Sequence, residues 1–107
     1  PKARREIELS NGTVTRVTEA ELLEAGALAN RHGLALCPNS AVALAGAAKL
    51  RREGAIGRDE TVVVVATAHA LKFSGAAIRY HGSGARHANP ARSLPASLEA
   101  VVAQLER

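Results

Sequence analysis

Apolar and polar positions change their spacing several times along the chain, and each spacing predicts a different element. Between residues 7 and 17, Ile7, Leu9, Val14 and Val17 flank Asn11-Gly12. Short alternating runs around an Asn-Gly pair predict two brief strands joined by a tight turn. Thr18-Glu19-Ala20-Glu21 then has the spacing of a capping box. The Thr18 hydroxyl can accept from the Glu21 N–H while the Glu21 carboxylate reaches back to the Thr18 N–H. A helix over 18–31 follows, with Leu22, Ala25, Leu28 and Ala29 as its apolar stripe and His32-Gly33 as its stop.

Leu34-Ala35-Leu36 predicts a short extended segment leading to Cys37-Pro38-Asn39-Ser40. Ser40 is the expected N-cap of a second helix, over 40–53. The first half of that helix, Ala41 to Ala48, has no polar face. A helix apolar all round is buried all round, so it demands cover on several sides. The other segments of the chain are too few to supply that cover, and partner structure is expected. After a polar turn over 54–60, Thr61 to Ala66 is a continuous, mostly β-branched run. It predicts a central strand of a parallel sheet covered on both faces. Beyond Lys72 the pattern loosens into a stretch punctuated by Gly82-Ser83-Gly84 and Asn89-Pro90. Leu98, Val101, Val102 and Leu105 define a closing helix over 97–106. Helix, turn, strand and loop in this order make an α/β fold with helices packed on a parallel sheet.

Composition qualifies this reading. The 107 residues suit one domain, and 47% are apolar, but there is one Phe, one Tyr, and no Trp or Met. Much of the apolar count is alanine, which buries little area. Such a core forms where backbones approach closely, and independent stability of the piece is doubtful. Its first residues, Pro1-Lys2-Ala3-Arg4, carry neither an initiator Met nor a leader-like apolar run, so the chain is expected to begin mid-protein. The net charge of +4 comes from dispersed basic residues with almost no aromatics to stack on bases. Nucleic acid is therefore not an expected partner. No apolar run reaches the roughly 20 residues of a membrane span. A single cysteine, Cys37, excludes an internal disulfide and fits a reducing, cytoplasmic setting.

Candidate chemistry concentrates at the end of the valine run. In open α/β sheets, ligands sit outside the carboxyl ends of the strands. Thr67, the first residue past Ala66, could turn its hydroxyl into such a crevice, although a lone Thr there is usually only a turn or cap residue. Metal binding is not expected. Cys37, His32, His69, His81 and His87 include no pair spaced to put two ligands on one turn. Cys37 has no signature of a nucleophile. Gly82-Ser83-Gly84 does not follow a strand and open a helix, so it is no dinucleotide loop.

Leu36-Cys37-Pro38-Asn39-Ser40-Ala41-Val42-Ala43-Leu44-Ala45, with Lys49-Leu50 and Gly54-Ala55-Ile56 after it, resembles threonine synthase. So does the valine run continued by Ala66-Thr67-Ala68-His69-Ala70-Leu71-Lys72-Phe73. Ile78-Arg79-Tyr80-His81 and Asn89-Pro90 are similar to the tail of the longer, plant-like synthases. The match runs from about Gly12 to Leu105 in the order of the family's C-terminal part. The most specific piece is Thr67 to Phe73; Ala70 stands where many members carry glycine, which implies a slightly different loop. The resemblance implies a tryptophan-synthase-β-like enzyme of fold type II, using pyridoxal 5'-phosphate. Its reaction converts O-phospho-L-homoserine and water to L-threonine and phosphate.

By the same resemblance, Thr67 hydrogen-bonds the pyridine nitrogen of the cofactor, and Asn39 and Ser40 are weaker candidates for cofactor binding. Ser40 can equally be only a cap. The Schiff-base lysine and the glycine-rich phosphate loop are expected upstream of this chain, because Lys2, Lys49 and Lys72 lack that context. No catalytic residue is therefore assigned within it. The chain alone is expected to be inactive, its partner being the remainder of the enzyme, with room for a homodimer. The alternatives are another fold type II lyase, such as a threonine or serine dehydratase, and a non-catalytic degenerate module.

Overall fold

The computed structural model describes residues 2–106, and every element it forms is helical. In chain order these are α1 (Lys2–Leu9), α2 (Glu19–Arg31), α3 (Pro38–Arg52), a 3-10 turn (Ala70–Phe73), α4 (Ser74–Gly82) and α5 (Leu98–Leu105). Helix α2 lies at the centre, packed on α3 and α4. Its start is a full capping box: Thr18 Oγ1 accepts from the Glu21 N–H at 3.2 Å and the Thr18 N–H donates to Glu21 Oε2 at 2.7 Å. Gly33, at φ 81°, takes the left-handed conformation just past its end.

The core is built from small side chains. Ala27 and Ala29 of α2 and Ala41, Ala45 and Gly46 of α3 are buried. A Cβ placed on Gly26 would stand 3.4 Å from the Ala41 Cβ, and one on Gly46 would stand 3.3 Å from Thr15 Cγ2. The backbones of α2 and α3 are thus as close as their side chains permit, and packing of many small contacts replaces large apolar volumes.

One large side chain completes the core. Tyr80 of α4 is buried, and its hydroxyl donates to the Glu24 carboxylate of α2 and accepts from the His87 N–H at 3.2 Å. His87 Nε2 lies 3.3 Å from Glu24 Oε1, and Arg31 Nη1 lies 3.0 Å from His87 Nδ1. Four residues from three segments therefore share one polar cluster, which ties α4 and the loop after it to α2.

Several expectations are corrected. The strand pair over 7–17 is replaced by α1 and an irregular stretch. Lys2, Arg4, Arg5, Glu6 and Glu8 are good helix formers, and Arg4 Nε pairs with Glu8 Oε1 at 2.7 Å one turn on. Asn11 still makes a tight reversal, at φ 51°, but as the stop of a helix, with the Gly12 N–H donating to Ile7 O at 2.7 Å. The irregular stretch over 74–82 is a helix, because Ala76, Ala77, Ile78 and Arg79 favour one and burial of Tyr80 rewards it. Helix α3 starts at Pro38, with Cys37 as its N-cap, so Ser40 lies inside the first turn. Proline suits that first position because the missing N–H would have no partner there.

The parallel sheet is not present among the described residues, and 61–66 forms no strand. No described segment pairs with it to complete a ladder, and a strand exists only through its pairing. Val63 is 83% exposed and Val65 71%. Similarly, α3 is covered on one side only, with Val42 and Ala43 open to solvent. The stripe of α5 is exposed at Leu98, Val101, Val102 and Leu105.

Global dimensions agree with these local exposures. The radius of gyration is 17.8 Å, against about 13 Å for a compact chain of this length. The accessible surface is 8495 Å², against about 5,700 Å² for a compact protein of this mass. Exposed apolar residues of the valine run, α3 and α5 contribute to that excess.

The Tyr80 cluster gives a measurable consequence. Burial, and then the Glu24 carboxylate, raise the phenol above its ordinary 10.0. The native fold therefore favours the neutral phenol, so its contribution is present below the ordinary value and is lost as pH rises through the raised one. Tyr80→Phe strands Glu24 and the His87 N–H. It should cost about 1–2 kcal/mol at neutral pH and flatten the alkaline limb of a urea-unfolding profile.

Candidate functional site

The chain after the valine run is fastened to the N-terminus of α3. Leu36 and His69 face each other in an isolated antiparallel bridge. On either side of it the Cys37 N–H donates to Ala68 O at 3.0 Å and the Ala70 N–H donates to Ala35 O at 3.0 Å. His69 then closes the 3-10 turn, its Nδ1 accepting from the Leu71 N–H at 3.1 Å. The sequence supports each step: Leu34-Ala35-Leu36 is extended, Pro38 opens the helix, and His69 offers a side-chain acceptor at a turn.

Thr67 stands at this corner and is exposed. Its N–H is engaged, donating to Ser40 Oγ at 3.0 Å across 27 residues of sequence. Ser40 is 2% exposed, and its hydroxyl also lies 3.4 Å from Cys37 Sγ. Cys37 is 1% exposed. The Ser40 hydroxyl, followed by the Ser40 amide, holds the Cys37 thiol below its ordinary value of 9.0, with the Asn39 amide and the Thr67 hydroxyl adding to the effect. A free helix N-terminus favours a partial negative charge in just this place.

Of the three predicted binding residues, the fold therefore joins Thr67 and Ser40, in a direct hydrogen bond. Asn39 is next to them but exposed in the first turn of α3. Sequence reasoning set Cys37 aside, yet the structure places it inside the corner. The signal available was positional: Cys37 and Ser40 have the spacing of an N-cap and the third helical residue, which brings their side chains together.

The arrangement can present one hydroxyl in a fixed orientation, but it contains no general acid or base facing Thr67. Lys72 Nζ lies 5.9 Å from the centre of the Phe73 ring, and Lys49 Nζ donates to Arg16 O at 2.9 Å. Among the described residues no three His, Cys, Asp or Glu side chains are grouped to hold a metal ion. No helix among them is long and apolar enough to cross a membrane.

The corner brings the first turn of α3 and the segment after the valine run together beside exposed apolar side chains. Comparison with known proteins gives that corner a family. Threonine synthase 2, chloroplastic, of Arabidopsis thaliana is 42% identical over 101 residues, 90% of this chain and 20% of its own length. Threonine synthase of Methanocaldococcus jannaschii is 45% identical over 80 residues, 74% of this chain and 20% of its own. Threonine synthase of Methanosarcina acetivorans is 47% identical over 72 residues, 66% of this chain and 18% of its own. No family model matches the chain. The chain is thus homologous to a portion of threonine synthase, as its motifs imply, and spans about a fifth of the length of these curated relatives.

The packing of the corner predicts the reactivity of its thiol. Native Cys37 should react with iodoacetamide much more slowly than a free cysteine, and the rate should rise to the free value in urea. A native rate equal to that of an unprotected thiol would contradict the burial.

Proposed function

We propose that this chain is the C-terminal portion of a threonine synthase, an enzyme of fold type II that converts O-phospho-L-homoserine and water to L-threonine and phosphate. The observation that carries the reading is the coincidence of two independent features. The stretches with the family's most specific resemblance, 36–45 and 66–73, are the ones that meet at the Thr67 corner. That the relatives carry the name threonine synthase favours this reading over a dehydratase.

In this proposal Thr67 donates its hydroxyl hydrogen to the pyridine nitrogen of pyridoxal 5'-phosphate. The residues present fit that group in one respect: Thr67 is exposed, with its N–H already committed to Ser40. A neutral hydroxyl can donate to an unprotonated ring nitrogen, whereas a carboxylate there would favour the pyridinium. When bound, the cofactor supplies an electron sink for carbanion chemistry at the substrate. Thr67 orients the ring and leaves its nitrogen neutral, so the hydroxyl adjusts how strongly the ring withdraws electrons. Asn39, exposed at the first turn of α3, is kept as a weaker contact. The covalently attached lysine and the phosphate loop belong to the portion of the enzyme outside this chain.

The same reading accounts for the uncovered surface. With neighbouring strands supplied by the rest of the enzyme, 61–66 becomes a central strand of a parallel sheet, and the open sides of α3 and α5 gain cover. A homodimer and a cytoplasmic location complete the proposal; the chloroplast belongs to the name of the Arabidopsis relative.

In the full-length enzyme, Thr67→Val should raise the cofactor dissociation constant about fivefold, the worth of one net hydrogen bond of about 1 kcal/mol, and lower kcat. Unchanged affinity and rate would sink the role of Thr67. The 107-residue chain by itself should neither bind the cofactor at micromolar concentration nor release phosphate from O-phospho-L-homoserine. A cofactor absorbance band retained through gel filtration and altered by borohydride would overturn that part.

A further inference from the structure

Ser40 is the one buried polar side chain in the described core, and it is also the one that reaches the Thr67 backbone. Capping explains neither fact. Cys37 occupies the N-cap position, and no side chain caps the N-terminus of α3 from there. A buried hydroxyl without a partner would be costly, and this one has two: it accepts from the Thr67 N–H at 3.0 Å and meets Cys37 Sγ at 3.4 Å. We infer that Ser40 is a positioning residue, which holds the Thr67 backbone through its N–H so that the Thr67 hydroxyl faces the cofactor ring, rather than a cofactor ligand itself. This rests on the proposed role of Thr67.

The geometry explains why a hydrogen bond is needed there. Thr67 follows a run whose own ladder partners lie outside this chain, and it precedes the bridge at His69. Between the last valine and that bridge, the Ser40 bond fixes the amide plane of Thr67. A hydroxyl whose backbone is free to rotate about that plane loses its aim at a ring nitrogen. The second contact of Ser40, at 3.4 Å from the Cys37 sulfur, holds the same oxygen from its other side while it accepts from Thr67. At 2% exposure Ser40 cannot itself touch a ligand on the open side, which separates its role from that of Thr67.

The test is a double-mutant cycle in the full-length enzyme, read by cofactor dissociation constant, by hydrogen exchange of the peptide holding the Thr67 amide, and by thermal midpoint. Ser40→Ala should speed exchange at Thr67 and raise the cofactor dissociation constant about threefold, while in the Thr67→Val background it should raise it no further. Ser40→Thr keeps the accepting oxygen and should stay within about twofold of wild type, in line with a role for the acceptor and not for side-chain size. The inference is overturned if Ser40→Ala leaves the affinity unchanged while Thr67→Val lowers it. It is equally overturned if the two losses simply add, or if Ser40→Thr loses as much as Ser40→Ala. No effect of Thr67→Val on affinity would instead remove the reading of Thr67 beneath it, and the inference with it.

Discussion

The structure depends on the fastening of one extended segment to one helix end. Residues 35–37 and 68–70 exchange backbone hydrogen bonds around Leu36 and His69, and Ser40 adds a side-chain bond to Thr67. These contacts join parts of the chain about thirty residues apart and add a direct link between the start of α3 and the 3-10 turn to the packing of both α3 and α4 on α2. Buried backbone groups must be paired, so the corner satisfies at once the N–H of Cys37, the N–H of Ala70 and the hydroxyl of Ser40. Each is replaceable only by water, which the small side chains around them exclude.

Alanine and glycine carry the rest. Large side chains in a core this small would hold α2 and α3 apart and leave Ser40 out of reach of Thr67. Gly26 faces Ala41 across the two helices and Gly46 faces Thr15 of the preceding segment, so only small side chains separate these backbones. The contribution of each contact is small, and only one aromatic residue, Tyr80, adds substantial buried area. The consequence is a piece whose inner contacts are well made and whose outer apolar surface is unused. The valine run and the stripe of α5 are apolar where nothing in the described chain covers them. A partial hydrophobic core and an open apolar flank fit the proposal that this chain is one portion of a longer enzyme.

How much was legible in the sequence follows from how local each determinant is. The capping box at Thr18 and Glu21 is closed within four residues, so it is visible in the order of side chains alone. The left-handed stop at Gly33 and the start of α5 at Ser97 are equally short-range. The region around Asn11 is the instructive case. Asn-Gly marks a reversal in either a hairpin or a helix end, and the difference lies in whether a second strand is present to pair. Alternation at Ile7 and Leu9 suggested one, but the helix formers between Lys2 and Glu8 satisfy their backbone locally and need none. The α4 helix was hidden for the opposite reason: Gly82-Ser83-Gly84 reads as a breaker, and burial of Tyr80 against Glu24 from α2 rewards a helix up to it.

The candidate site divides along the same line. Sequence by itself determined the helices on either side of Gly33, the place of Thr67 after the valine run, and the apolar character of the first half of α3. These follow from side-chain type and spacing, which set local hydrogen bonding and hydrophobicity. Tertiary structure decided what each group near Thr67 does. It moved the helix start to Pro38, turned Ser40 from an expected cap into the acceptor for the Thr67 N–H, and brought Cys37 inside. Those assignments depend on a contact between residues 27 positions apart. No periodicity records such a contact, because it joins a helix end to a segment distant in sequence. The valine run shows the remaining limit: its composition favours a strand, but a strand is a relation between segments, and no described segment pairs with it.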